Sequence, residues 1–116
     1  MRIRTVYLKV NDLKGASLFW EDLLQIKPHK CFDTWHEFRC ENINLGLLLN
    51  DFGDVVQGSG FVPVFEFADA ALPTYINRAM QLGATLILDG LEDPNIRSVV
   101  LRDPFGHEFE LSKFHD

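Results

Sequence analysis

No stretch of this 116-residue chain is apolar over the roughly 20 residues that a membrane-spanning helix needs, and no apolar signal region follows the opening Met-Arg-Ile-Arg. A membrane partner is not expected, and the expected location is the cytoplasm. Basic residues form no run either. The 11 Lys and Arg are scattered among 17 Asp and Glu, for a formal charge of −6, so nucleic acid is not an expected partner. An acidic field favours cationic ligands only weakly, because a cleft can differ from the mean surface. Cysteine is sparse. Cys31 and Cys40 are read, from the compartment, as buried small apolar thiols, with a bridge between them as the alternative if their strands are neighbours. His29, His36, His107 and His115 form no His-x-His or His-x3-His pair, so each is read as a surface or locally hydrogen-bonded histidine. A glycine-rich phosphate loop and a nucleophile with its base are also missing, and no catalytic residue is assigned.

What remains has ordinary globular composition, 47% hydrophobic and 24% charged. One domain spanning 1–116 is expected, with a single core that needs no disulfide or structural metal. Thr5 to Val10 alternates as a half-buried strand. Asp12 is a good N-cap for a helix carrying Leu13, Ala16, Phe19, Trp20, Leu23 and Leu24 at helical spacing. Pro28 stops that helix, and His29–Phe32, Trp35–Cys40 and Ile43–Leu49 read as strands joined at Asp33-Thr34 and Glu41-Asn42.

Residues 51–60 carry Gly53, Gly58 and Ser59 without apolar periodicity, and read as a linker between modules of about 1–50 and 61–114. The second module repeats the order of the first: strand Phe61–Ala68, helix Leu72–Leu82, then strands Thr85–Leu88, Ile96–Leu101 and His107–Ser112. Pro73 suits the first turn of its helix and Gly83 the left-handed position after the last. Asp103-Pro104-Phe105-Gly106 is a tight turn.

Several segments carry a resemblance: Val10-Asn11-Asp12-Leu13, Phe19-Trp20-Glu21-Asp22-Leu23-Leu24, Trp35-His36-Glu37-Phe38-Arg39, Phe65-Glu66-Phe67-Ala68-Asp69, Gly83-Ala84, and the ending from Asp103 through Gly106-His107-Glu108-Phe109-Glu110-Leu111. Together they resemble the glyoxalase/bleomycin-resistance/extradiol dioxygenase, or vicinal oxygen chelate, superfamily. Where that family often has Gly, after the first helix, this chain has Gln25. A left-handed Gln costs about 1 kcal/mol, so a different helix ending is expected. The resemblance implies an α+β fold of two βαβββ modules, with curved mixed sheets around a cleft and helices on the outer faces. Alternation within that fold sends Val6, Leu8, Val10, Leu45, Leu47, Leu49, Phe65, Phe67, Phe109 and Leu111 to the helices. It sends Thr5, Tyr7, Asn44, Gly46, Leu48, Val62, Val64, Glu66, Glu108, Glu110 and Ser112 to the cleft.

Metal-dependent relatives are implied to use His, Gln or Glu on the first strand, an acidic or similar ligand on the fourth, His on the fifth and Glu on the last. Those positions fall here on Thr5, on Asn44 or Gly46, on Val62 and on Glu110. A one-residue slip substitutes Arg4 or Val6, Leu45, and Phe61 or Pro63, which restores no ligand. No metal and no cofactor are therefore expected.

The expected ligand site comprises Thr5, Tyr7, Trp35, Asn44, Leu48, Val62, Glu66, Glu108 and Glu110. Aromatic faces and carboxylates suit a small aromatic or cationic molecule. Against this stand plainer readings: Glu66 paired with Arg102, Glu108 as an edge-strand surface group, and Trp35 as a lid on a core. The function expected is a metal-independent, small-molecule-binding homodimer resembling bleomycin-resistance-type drug-sequestering members. The alternative is a glyoxalase-like lyase, isomerase or dioxygenase with a non-standard or absent metal site, with Glu110 or Glu66 as general base.

Overall fold

A computed structural model describes residues 3–51, 53 and 61–114, and the chain divides into two compact units, Met1–Val56 and Gln57–Asp116. Most of the expected linker at 51–60, and His115, lie outside the described residues. In the first unit the order is β1 (Thr5–Val10), α1 (Leu13–Leu24), β2 (Lys30–Cys31), β3 (Trp35–Cys40) and β4 (Ile43–Leu49). Its sheet runs β1-β4-β3-β2, with β1 parallel to β4 and the other pairs antiparallel.

The second unit repeats this plan with β5 (Val64–Phe67), α2 (Leu72–Gln81), β6 (Thr85–Asp89), β7 (Ser98–Arg102) and β8 (Glu108–Lys113). Its sheet runs β5-β8-β7-β6, again with one parallel pair, β5 with β8. The chain thus holds two βαβββ modules in an α+β fold. No helix among the described residues is long and apolar enough to cross a membrane.

Each helix covers one face of its own sheet, and the alternation of the strands decides which. In the first unit Leu8, Val10, Phe38, Leu45 and Leu47 are buried with Ala16, Phe19, Trp20 and Leu23 of α1. Burying such a set is worth about 1.5–3 kcal/mol for each large apolar side chain, which outweighs the weak intrinsic preference of a 12-residue helix. His36 also faces this side, where its Nδ1 lies 2.7 Å from the hydroxyl of Ser17 on α1. In the second unit Val99, Leu101, Phe109 and Leu111 are buried with Leu72 and Ala79 of α2. Phe67 stacks on Tyr75 of α2 at 4.1 Å.

The caps follow the expected chemistry, with one correction. Asp12 accepts from Gly15 N at 2.9 Å, Pro73 sits in the first turn of α2, and Gly83 and Gly106 have φ of 97°. Gln25 was expected to avoid the left-handed region, yet it closes α1 there, at φ 57°. Its backbone N–H donates to Glu21 O at 2.9 Å and its side-chain amide to Asp22 O at 2.7 Å. These two bonds offset the steric cost.

Five strands also differ in extent from expectation, β6 only by running one residue further, to Asp89. His29–Phe32 is reduced to the two-residue β2. Phe61–Ala68 is trimmed to Val64–Phe67, because Pro63 has no N–H and only accepts, from Glu110 N at 2.9 Å. Ile96 and Arg97 are loop rather than strand. Ile96 N bonds Asp93 O at 3.1 Å and Arg97 adopts φ 55°, so their apolar pattern reflects loop packing over Gly90. His107 belongs to the turn, its N–H held by the buried Asp103 Oδ1 at 2.9 Å, and β8 starts one residue later.

The cysteines require a second correction. Cys31 and Cys40 are free; Cys31 is exposed, not buried, and Cys40 is half-buried. Cys31 sits opposite His36, four residues along β3 from Cys40. That separates them by about 13 Å along the strand, far beyond a disulfide's reach.

Candidate functional site

The face of the first sheet opposite α1 is built in rows that the register defines. Tyr7, Gly46, Glu37 and Lys30 lie opposite one another on successive strands β1, β4, β3 and β2. Thr5, Asn44 and Arg39 form the next row toward one end of the sheet, and Lys9, Leu48 and Trp35 the next toward the other.

Gly46 matters because it has no side chain. A Cβ there would stand 2.2 Å from Trp35 Cη2, so the indole lies directly across the glycine. Tyr7, exposed on the neighbouring strand, meets this indole edge-on with centroids 5.5 Å apart. Trp35 is therefore a half-exposed platform on the sheet face rather than a lid on the helix-side core, which belongs to Phe38 and Leu47.

Beside the platform lies a carboxylate that the expected site omitted. Glu37 is only 5% exposed. Its Oε1 accepts from Trp35 Nε1 at 3.3 Å, its Oε2 lies 2.6 Å from His29 Nε2, and Lys30 Nζ is 3.7 Å away. Arg39 Nη2 approaches His29 Nδ1 at 3.4 Å. A guanidinium can only donate, so Nδ1 is the acceptor and Nε2–H faces the carboxylate. The signal for Glu37 was present in the alternation of Trp35, Glu37 and Arg39. Its burial was not, because His29 precedes β2 and reaches Glu37 through backbone pairing, His29 N to Glu37 O at 2.9 Å.

At the end of the sheet where Thr5, Asn44 and Arg39 align, Arg4, Arg39, Glu41, Asn42, Ile43 and Asn44 line a cavity of about 410 Å³. Arg4 Nε donates to Thr5 Oγ1 at 3.4 Å. Thr5, Tyr7, Trp35, Asn44 and Leu48 thus share one face of the first unit.

The remaining expected residues belong to the second unit. Glu110 faces away from α2 and accepts from Ser98 Oγ at 2.7 Å. Its neighbour on β5 is Val64, whereas Val62 precedes the strand. Glu66 lies opposite Ser112 and is exposed. Arg102 pairs with Glu108 at 3.5 Å, in place of the pairing with Glu66 considered above. Glu108 stands at the start of β8, opposite Arg102 of β7 and two residues before the pairing with β5 begins, and is half-buried.

The donor set does not fit the divalent site that the resemblance implies. Opposite Glu110 stands an aliphatic side chain, one of its oxygens already receives a hydroxyl, and the first-unit positions are Thr5, Asn44 and Gly46. Among the described residues no group of three His, Cys, Asp or Glu could hold a metal ion.

Comparison with known proteins agrees with this architecture. No curated protein matches the chain. A solution structure of a protein from Agrobacterium tumefaciens superposes with TM-score 0.84 at 18% identity, over 100% of this chain and 99% of that one. A glyoxalase/bleomycin resistance protein from Albidiferax ferrireducens gives TM-score 0.80 at 20% identity, covering 97% and 98%. The fosfomycin resistance protein of Listeria monocytogenes gives 0.79 at 18%, covering 97% and 90%. At these identities the likeness is one of fold. The model of the glyoxalase-like domain matches residues 5–112, nearly the whole chain, and the protein belongs to that family.

Proposed function

We propose that the protein is a metal-independent small-molecule-binding protein that takes a planar aromatic ligand on the Trp35 face, in the manner of a drug-sequestering member of its superfamily. The observation that carries this reading is the indole laid across Gly46 with Tyr7 edge-on beside it. This half-exposed, preformed aromatic platform stands on the face opposite the helix-side core, and preorganisation lowers the ordering cost of binding. The likeness in fold to the glyoxalase/bleomycin resistance protein of Albidiferax ferrireducens supports it. A homodimer, implied by the resemblance, belongs to the same proposal, and sedimentation velocity tests it.

Tryptophan fluorescence gives a direct experiment. Of the two tryptophans Trp20 is fully buried, so quenching by added planar aromatic compounds reports Trp35. Saturable quenching is expected. Trp35→Ala should weaken binding measured by calorimetry about 2- to 12-fold, corresponding to about 0.5–1.5 kcal/mol for an aromatic pair. If Trp35→Ala binds every such compound as well as the parent does, the reading fails.

A second reading, a lyase or isomerase acting by proton transfer, is favoured by one observation, the buried Glu37 carboxylate against His29 on the same face. A positioned carboxylate and imidazole are the usual groups for moving a proton at a substrate carbon or oxygen. It requires turnover that Glu37→Gln abolishes while ligand binding persists.

A further inference from the structure

We infer that the cavity at the β3–β4 end of the first sheet is an oxyanion subsite, and that the ligand of this protein is an aromatic carboxylate whose ring lies on Trp35. This rests on the reading that the Trp35 face takes a planar ligand.

Three observations carry it. First, the residues that line the cavity include two arginines, Arg4 and Arg39, and two asparagines, Asn42 and Asn44, against a single acidic residue, Glu41. Forked guanidinium donors and amide N–H groups match the two oxygens of a carboxylate. Second, among the described residues neither arginine forms an ion pair with an acidic side chain: Arg4 donates to Thr5 Oγ1 and Arg39 to His29 Nδ1, both at 3.4 Å. The nearby carboxylate of Glu37 is instead taken up by His29, Lys30 and Trp35. Third, the register sets the spacing. The row Arg39, Asn44, Thr5 lies two residues along the strands from the row Glu37, Gly46, Tyr7 over which the indole sits, on the same face. Two residues of strand span about 7 Å, the distance from the centre of a fused two-ring aromatic to a carboxylate on its rim plus one contact.

The net charge of −6 pointed toward cations, and the carboxylates behind that expectation, Glu66, Glu108 and Glu110, lie in the second unit. The face of the first unit carries Lys9, Lys30 and Arg39 with Glu37. Local charge therefore opposes the mean charge there.

Calorimetry with three probes of one ring system tests the inference: 2-naphthoate, 2-naphthol and 2-naphthylmethylammonium, at constant ionic strength. Naphthoate is expected to bind at least about 10-fold more tightly than the ammonium, and the double variant Arg4→Gln/Arg39→Gln to bring the two near parity. Equal or tighter binding of the ammonium, or a ratio unmoved by the double variant, overturns it. A second arm does not depend on the ring: acetate and inorganic phosphate are titrated while the side-chain amides of Asn42 and Asn44 are followed by NMR. Saturable shifts with acetate that vanish in the double variant support the subsite even if no naphthalene compound binds, in which case only the aromatic reading falls. Shifts with phosphate alone, or with neither anion, overturn the carboxylate subsite.

Discussion

Glu37 Oε2 lies 2.6 Å from His29 Nε2, although His29 precedes β2, Glu37 lies on β3 and only Glu37 is buried. The same carboxylate receives Trp35 Nε1 through its other oxygen, so one side chain fixes both the imidazole and the aromatic platform. Replacing Glu37 by Ala leaves these donors unmet in a partly dry site. A loss of about 1–3 kcal/mol in urea denaturation is expected. A redder, more quenchable Trp35 emission should accompany it, and an unchanged spectrum would show that the carboxylate does not hold the indole.

Gly46→Ala addresses the platform directly. The added methyl would overlap Trp35 at 2.2 Å, and the indole rather than the backbone should yield. Overpacking of this kind costs about 1–3 kcal/mol. The expected outcome is a folded protein with an altered near-ultraviolet dichroism signal and weakened aromatic binding.

Gln25→Gly tests the αL closure of α1. Glycine removes the Cβ clash at φ 57° but forfeits the amide bond to Asp22 O. The two effects oppose, and a net stabilisation of up to about 1 kcal/mol is expected from thermal unfolding. A destabilised variant would show that the side-chain bond outweighs the backbone relief.

The two thiols should react unequally. Cys31 is exposed, whereas burial pushes the Cys40 thiol above its ordinary value of 9.0, partly countered by the Leu45 backbone hydrogen bond. A thiol-specific reagent at neutral pH should label one cysteine rapidly and the other slowly. Because the folded-state value is raised, the stability linked to neutral Cys40 is complete below the unfolded value and is lost as pH rises through the folded one. Denaturation midpoints should therefore fall on the alkaline side of about pH 9, and less so in Cys40→Ala.

Titration with divalent manganese, zinc or nickel should give no saturable one-to-one heat, since Glu110 has Val64 for its β5 neighbour and Ser98 on one oxygen. Stoichiometric binding that disappears in Glu110→Ala would reverse this.

Much of the architecture was legible from local pattern. The alternation in Thr5–Val10, Trp35–Cys40 and Ile43–Leu49, the helical stripe from Leu13 to Leu24 and the Asp12 cap all act over a few residues, and the structure places those elements where the pattern does. Errors arose where a neighbour distant in sequence decides the outcome. Pro63 shortened β5 because it faces Glu110, and Ile96 joined a loop because it packs on Gly90.

By itself, the sequence determined the order of the elements, the repeat and the face on which Tyr7, Trp35, Asn44 and Glu110 stand, because a period of two assigns faces without knowledge of the partner strand. Only the tertiary structure decided which of these residues meet. Strand register brought Gly46 under Trp35, His29 to Glu37, and Arg39 beside Asn44. Register depends on pairings between distant segments, and so does the burial that turns Glu37 from a surface carboxylate into the centre of the face.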